Sequence, residues 1–227
     1  MKKKLIIFGL LLISTLSLSA CGNKKINIAN YLIEERNNLF TASDDLYIAN
    51  FSTGKRENNY NFDGSINEMI DFGILTFSRI DNNALANDNY TYIVSINDDQ
   101  HTGFLVKSEV DNSYSADLGI CVKDEDEISV QVSFTGYTFN KQLENVSSQF
   151  NVDKNTALKI ANKELSENLK NITQNNAKIE VVMKILKDYS SSELKNYFWY
   201  IGAISTNGET VGILIDANSG DIIAKKV

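Results

Sequence analysis

From Leu46 to Phe139 the chain is cut into short apolar runs by Asn, Asp, Gly and Ser, and this punctuation suits strands far better than helices. Leu46 to Phe51, Met69 to Ile80, Tyr90 to Ile96, Phe104 to Val110, Tyr114 to Val122 and Ile128 to Phe139 are strand-like. Ile128 to Phe134 alternates apolar and polar residues, as a strand with one buried face does. Between the runs lie turn-forming stretches such as Ser52-Thr53-Gly54-Lys55, Asp81-Asn82-Asn83, Asn97-Asp98-Asp99 and Asp111-Asn112. Short strands with regular turn signals argue for an antiparallel sandwich or barrel. The pattern predicts a β-rich module over residues 46–149. Ahead of it, Ile28, Tyr31, Leu32, Leu39 and Phe40 have rough helical spacing, which predicts a short helix within residues 27–40.

The N-terminus is of another kind. Lys2, Lys3 and Lys4 precede an apolar run from Leu5 to Leu18, followed by Ser19-Ala20-Cys21 and the polar Gly22-Asn23-Lys24-Lys25. That is the layout of a secretory signal, and the run is short for a bilayer core of about 30 Å. The small residue followed by Cys resembles the lipobox of bacterial lipoproteins. The resemblance implies cleavage between Ala20 and Cys21, a diacylglyceryl group on the Cys21 thiol, and residence on the outer face of the cell membrane. An ordinary secreted protein and an uncleaved anchor are the alternatives. Residues 21–45 then form a tether and the short helix.

Without residues 1–20 the chain carries 19 basic and 29 acidic residues, a net charge of −10. The charge is uneven, with nine basic and twenty acidic residues over 21–149 but ten and nine over 150–227. The break suggests an acidic module followed by a near-neutral one. An acidic chain lacks the Lys and Arg excess that nucleic-acid binding needs. Cys21 and Cys121 are the only cysteines, so a lipidated Cys21 leaves Cys121 with no disulfide partner. Its apolar setting, Leu118-Gly119-Ile120-Cys121-Val122, suits a small buried hydrophobe.

Several chemical motifs are incomplete. Asp71-Phe72-Gly73 lacks the rest of a kinase signature, and Gly54-Lys55-Arg56 lacks the remainder of a phosphate loop. Asp124-Glu125-Asp126-Glu127 does not have the spacing of a calcium loop and suits a solvated hairpin tip. His101 is the sole histidine, and one His with one free Cys is too little for a usual zinc site. No cofactor, metal or catalytic residue is therefore predicted, and an enzymatic role has no support in the sequence.

From Val152 onward the pattern is more regular. Asp153 is a candidate N-cap, with Val152 and Ala157 placed as a hydrophobic staple. Ala157, Ile160, Ala161, Leu165, Leu169 and Ile172 follow at helical spacing. Ile179 to Leu186, Tyr197 to Ile204, Thr210 to Ile215 and Ile222 to Lys225 then read as strands, the last two joined by Asp216-Ala217-Asn218-Ser219-Gly220. The capped start Asp153-Lys154-Asn155-Thr156-Ala157-Leu158-Lys159-Ile160-Ala161, the aromatic strand Tyr197-Phe198-Trp199-Tyr200 and the segment from Val211 to Ile223 resemble the PepSY domain, over residues 151–227. The resemblance implies an α+β fold in which one helix packs on a small antiparallel sheet of three or four strands. PepSY domains are thought to bind or restrain peptidases and bring no catalytic residues. With no protease domain in this chain, any such action would be in trans.

Two readings follow. In the first, a lipid-anchored envelope protein binds a protein partner, such as a secreted peptidase, through an open sheet face. That face would carry Val182, Leu186 and Leu214 with either Tyr197 and Trp199 or Phe198 and Tyr200. The first pair is favoured as the partner face because Trp is enriched among binding hot spots. The bland alternative is that the rest of the chain covers this face. In the second reading the chain is a sensory or solute-binding accessory lipoprotein of a transporter or receptor, which needs a concave pocket with converging polar groups.

Overall fold

The computed structural model describes residues 26–227 apart from positions 82, 110, 121 and 188–195. The leader, Cys21 and Cys121 lie outside the described residues.

The fold is organised around a twelve-residue strand, β1 (Leu32–Ser43). It replaces the helix predicted for residues 27–40, of which a single 3₁₀ turn remains at Ile28–Tyr31, capped by the Asn27 side chain accepting from the Ala29 amide. Local spacing is a weak prior, and strand partners on both sides of β1 overrule it. β2 (Tyr47–Glu57) runs antiparallel on one side, from Ser43↔Ile48 to Glu34↔Arg56. β11 (Ile179–Lys187) runs parallel on the other, from Leu32↔Val181 to Arg36↔Lys184. Between Arg36 and Asn38 the β1–β2 register shifts, and Gly54 there approaches so closely that a Cβ would sit 1.8 Å from the Glu35 carbonyl. Only glycine fits at that crossing.

From this seam the sheet extends both ways. On one side follow β3 (Met69–Arg79), β7 (Tyr114–Leu118) and β6 (Val106–Lys107). On the other, β12 (Tyr197–Ser205), β13 (Thr210–Asp216) and β14 (Ile222–Lys226) follow β11, and the two-residue β10 (Glu144–Asn145) pairs with the end of β1. The result is one ten-stranded sheet. A second sheet has the order β5 (Asp99–Phe104), β4 (Thr91–Ile96), β8 (Ile128–Phe134), β9 (Tyr137–Gln142).

The α+β arrangement expected from the sequence is thereby corrected. The chain is mostly β, and its C-terminal strands do not form a small sheet of their own under one helix. They continue a large sheet that begins in the N-terminal half, because β11 bonds to β1. The predicted helix is also two: α1 (Lys154–Glu164) and α2 (Ser166–Ile172), broken at Leu165. The N-cap is as read, with the Asp153 carboxylate accepting from the Thr156 amide at 2.7 Å.

Two cores result. Phe40, Phe51, Leu75 and Phe77 of the large sheet pack on Val94, Val130, Val132 and Phe139 of the small one. Ala157, Ala161, Leu165 and Leu169 of the helices pack on Val181, Met183, Ile201 and Ile213. Leu39 and Phe40 are neighbours on β1, yet each belongs to a different core, so alternation along this strand ties the two together.

Candidate partner-binding groove

One face of β11, β12 and β13 lies under the helices, and the strand register defines what the other face presents. Val182, Gly202 and Gly212 form one cross-strand row; Lys184, Tyr200 and Leu214 form the next. The paired glycines leave a hollow floor between apolar walls. Val182, Leu186, Tyr200, Ile204 and Leu214 line a groove of about 540 Å³, with Ala224 and Lys226 of β14 at its rim. Tyr200 lies across the floor. A Cβ on Gly202 would fall 2.4 Å from its hydroxyl, whereas one on Gly212 would meet Ile201 and Tyr200 at 3.6 Å, an ordinary contact.

The groove is edged by cations. The Lys184 ammonium stands 5.6 Å from the centre of the Tyr200 ring. Desolvation, reinforced by Arg36 and opposed by Glu34, holds it below the ordinary lysine range. On the rim, Lys226 adds a second cation. Lys187 lies instead on the helix side, 5.7 Å from the centre of the Tyr197 ring, and desolvation lowers it there. All five residues of β14 are exposed, and among the described residues no strand pairs with its outer edge. Apolar hollow, basic margin and open edge thus adjoin.

Beyond β11 the same face continues across β1, β2 and β3. Glu34 is paired with Arg36 at 2.7 Å, and Arg36 and Arg56 stack on the fully buried Phe72 ring at 5.7 and 4.7 Å. Arg56 is in turn paired with Asp117. Where Glu180 sits, the face is covered. Its carboxylate is completely buried and accepts from the Tyr60 hydroxyl at 2.9 Å and from the Asp63 and Gly64 amides at 3.0 and 2.7 Å. The loop between β2 and β3 is pinned there. Desolvation of the hydroxyl end, the hydrogen bond to Glu180 and the charges of Glu180 and Glu57 push the Tyr60 phenol up to about 12.

The residues favoured from sequence lie elsewhere. Tyr197 is 7% and Trp199 2% exposed, both on the helix side. The Trp199 indole donates to the Val152 carbonyl at 2.7 Å and meets Phe150 edge-on at 6.1 Å. The outer pair is Phe198 and Tyr200. Alternation offered both phases, and the choice of Trp199 as the partner residue is corrected by its burial. A usable signal was present: Tyr197, Trp199, Ile201 and Ala203 make an unbroken apolar set, while the other phase contains Gly202, which leaves a hole in any core it faces. The remaining motifs stay unassembled. His101 sits in the polar strand β5, and Asp126 accepts from the Lys123 amide and the Asn97 side chain as part of a turn. Among the described residues no three His, Cys, Asp or Glu converge as a metal site, and no helix is long and apolar enough to cross a membrane. Comparison with known proteins returned no matching family model, no matching curated protein and no matching solved structure.

Proposed function

We propose that this chain is a non-catalytic protein of the cell envelope, held at the outer membrane surface by lipid on Cys21, that captures an extended segment of a partner protein on the outer face of β11–β14. The groove itself carries the proposal. Water in contact with so much apolar wall is costly, and a long apolar hollow bordering an unpaired strand edge is the shape that β-strand addition uses. Backbone groups of the incoming segment would pair with β14, and its alternate side chains would enter the hollow. Lys184 and Lys226 at the margin favour a segment that carries Asp or Glu beside its apolar residues. The resemblance of residues 151–227 to PepSY domains supports a secreted peptidase as the source of that segment, restrained in trans.

Selection of a displayed peptide library on the purified protein tests the reading. The expected binders alternate apolar residues with acidic ones, and Gly212→Leu, which adds a side chain to the groove floor through a Cβ that meets only ordinary contacts, weakens them at least tenfold. Enrichment of no common pattern, or binding indifferent to Gly212→Leu, would overturn the proposal.

A further inference from the structure

The strand register of the small sheet gives it an outer face that carries no charge. Phe104, Thr91, Ser133 and Thr138 form one cross-strand row. Thr102, Ile93, Gln131 and Asn140 form the next, and Gln100, Ser95, Ser129 and Gln142 a third. Asp99 and Lys141 fall in the other phase, opposite Ile96 and Val130. Edge strands such as β5 and β9 ordinarily carry charges that deter pairing, and 22% of this chain is charged, so the neutrality belongs to the face and not to the chain.

The face is hollowed where Thr91, Ile93, Thr102, Phe104, Gln131 and Ser133 meet, a cavity of about 350 Å³. Phe104, on the edge strand β5, is 69% exposed, so its ring contributes little to folding. The polar groups around it are loosely engaged. The Thr91 hydroxyl donates to the Ser133 carbonyl at 3.3 Å, the Gln131 amide to the Ser133 hydroxyl at 3.3 Å, and the Ser133 and Thr138 hydroxyls lie 3.4 Å apart. Hydroxyl bonds are ordinarily about 2.7–2.8 Å, so each of these exchanges for a shorter bond to a ligand at little cost.

We infer that this face binds a neutral oligosaccharide, a flat chain of β-linked pyranose units. Charge selects the class: no cation is present for an anionic ligand, and no carboxylate for an amine. Apolar surface is limited to Ile93 and Phe104, too little for the core of a protein interface. Hydroxyls and amides both donate and accept, as sugar hydroxyls do, so the two sets match in any rotation of the hydroxyls. The ring of Phe104 offers a platform for the C–H face of one sugar, with Thr91, Gln131 and Ser133 in reach of its hydroxyls. Four strands about 4.8 Å apart extend the strip across about 14 Å, room for more than one ring on a flat surface. None of these residues lines the peptide groove, and the inference stands whether or not that groove captures a peptide.

Titration calorimetry on the purified full chain tests it, with cellohexaose and its N-acetylated counterpart chitohexaose as probes, and with coiled maltohexaose and anionic oligogalacturonate as controls. The expected result is saturable binding of at least one probe, tighter than either control; the tighter of the two probes tells whether the bound sugar carries N-acetyl groups. Phe104→Ala, at an exposed position, should weaken it about tenfold, and Gln131→Leu, which keeps bulk and removes the amide, by a similar factor. Gly212→Leu should leave it unchanged. Absence of saturable binding of both probes would overturn the inference, as would equal binding of a control or an affinity unaffected in folded Phe104→Ala protein. A concentration-dependent dimer dispersed by Ser133→Lys, in place of sugar binding, would assign the face to a second copy of the chain and overturn it as well.

Discussion

The two faces of β11–β13 differ in kind although they are built from the same three strands. On the inner face Ile185, Trp199 and Ile215 stand in one cross-strand row, each nearly or fully buried under the helices. On the outer face the row Val182, Gly202, Gly212 replaces large side chains by two hydrogens. The inner face contributes to stability through filled volume, which is where large buried side chains have most effect. The outer face leaves volume unfilled and aromatic surface half in water, an arrangement that contributes little to folding. Stability and recognition are therefore separable here, one residue apart along each strand.

The sharpest way to break this comparison is to truncate one aromatic on each face. Trp199→Ala should cost about 3–5 kcal/mol, since it empties a core position and also orphans the Val152 carbonyl. Tyr200→Ala should cost about 1 kcal/mol or less, as expected of a half-exposed side chain outside the core. Denaturant unfolding of the two variants measures both, and equal losses would mean that the faces are not distinct.

Next comes the one place where the outer face is sealed. Glu180→Ala removes a buried acceptor that holds three donors and should cost about 2–3 kcal/mol. Amide exchange of residues 58–68 should rise with it. Protection unchanged there would mean that the loop is held by something other than Glu180.

A smaller effect is expected from Tyr60→Phe, about 1 kcal/mol, because more than half of the residue is exposed and solvent discounts its bond to Glu180. This contribution has a pH signature. The phenol must stay protonated to donate, and its folded value near 12 lies above the ordinary value of 10.0. The stabilisation is thus complete below pH 10 and lost as pH rises toward 12. Unfolding of the native and Tyr60→Phe proteins compared across that interval should show their difference shrinking. A difference that grew with pH would reverse the assignment of donor and acceptor.

A comparably small effect on stability, about 1 kcal/mol or less, belongs to Gly212→Leu, since a Cβ there meets Ile201 and Tyr200 only at ordinary contact distances. The same change is the one expected to abolish peptide capture.

Much of the local structure was legible because its causes are local. The Asp153 cap, the hairpin at Asp216 to Gly220 with its left-handed glycine, and the alternation of Ile179 to Ile185 each follow from neighbours in sequence. β5 escaped notice because Asp99 to Phe104 is polar and exposed, as an edge strand can be, and is joined to β4 by the left-handed Asn97. Ile128 to Phe139 read as one run but turns back on itself at Gly136, another left-handed position. β1 was not legible as a strand at all. Its partner β11 lies far along the chain, at Leu32↔Val181, and no spacing within residues 27–40 records that pairing. The same holds for both candidate sites. The glycine floor exists only once Gly202 and Gly212 are in register, and the uncharged face only once β5, β4 and β8 bring Phe104, Thr91 and Ser133 into one row.

The central claim, that the outer face receives an extended segment of a partner, is tested most directly where Leu186 stands exposed at the groove. Replacing Leu186 by a photoreactive phenylalanine in intact cells, with Glu167 on the outer side of α2 as the control position, gives a direct reading. The expected result is one protein adduct at 186 and none at 167, lost with Gly212→Leu, with the attachment point mapping to an apolar segment that bears Asp or Glu. Equal labelling at both positions, or an adduct that persists when the groove is filled, would contradict the account.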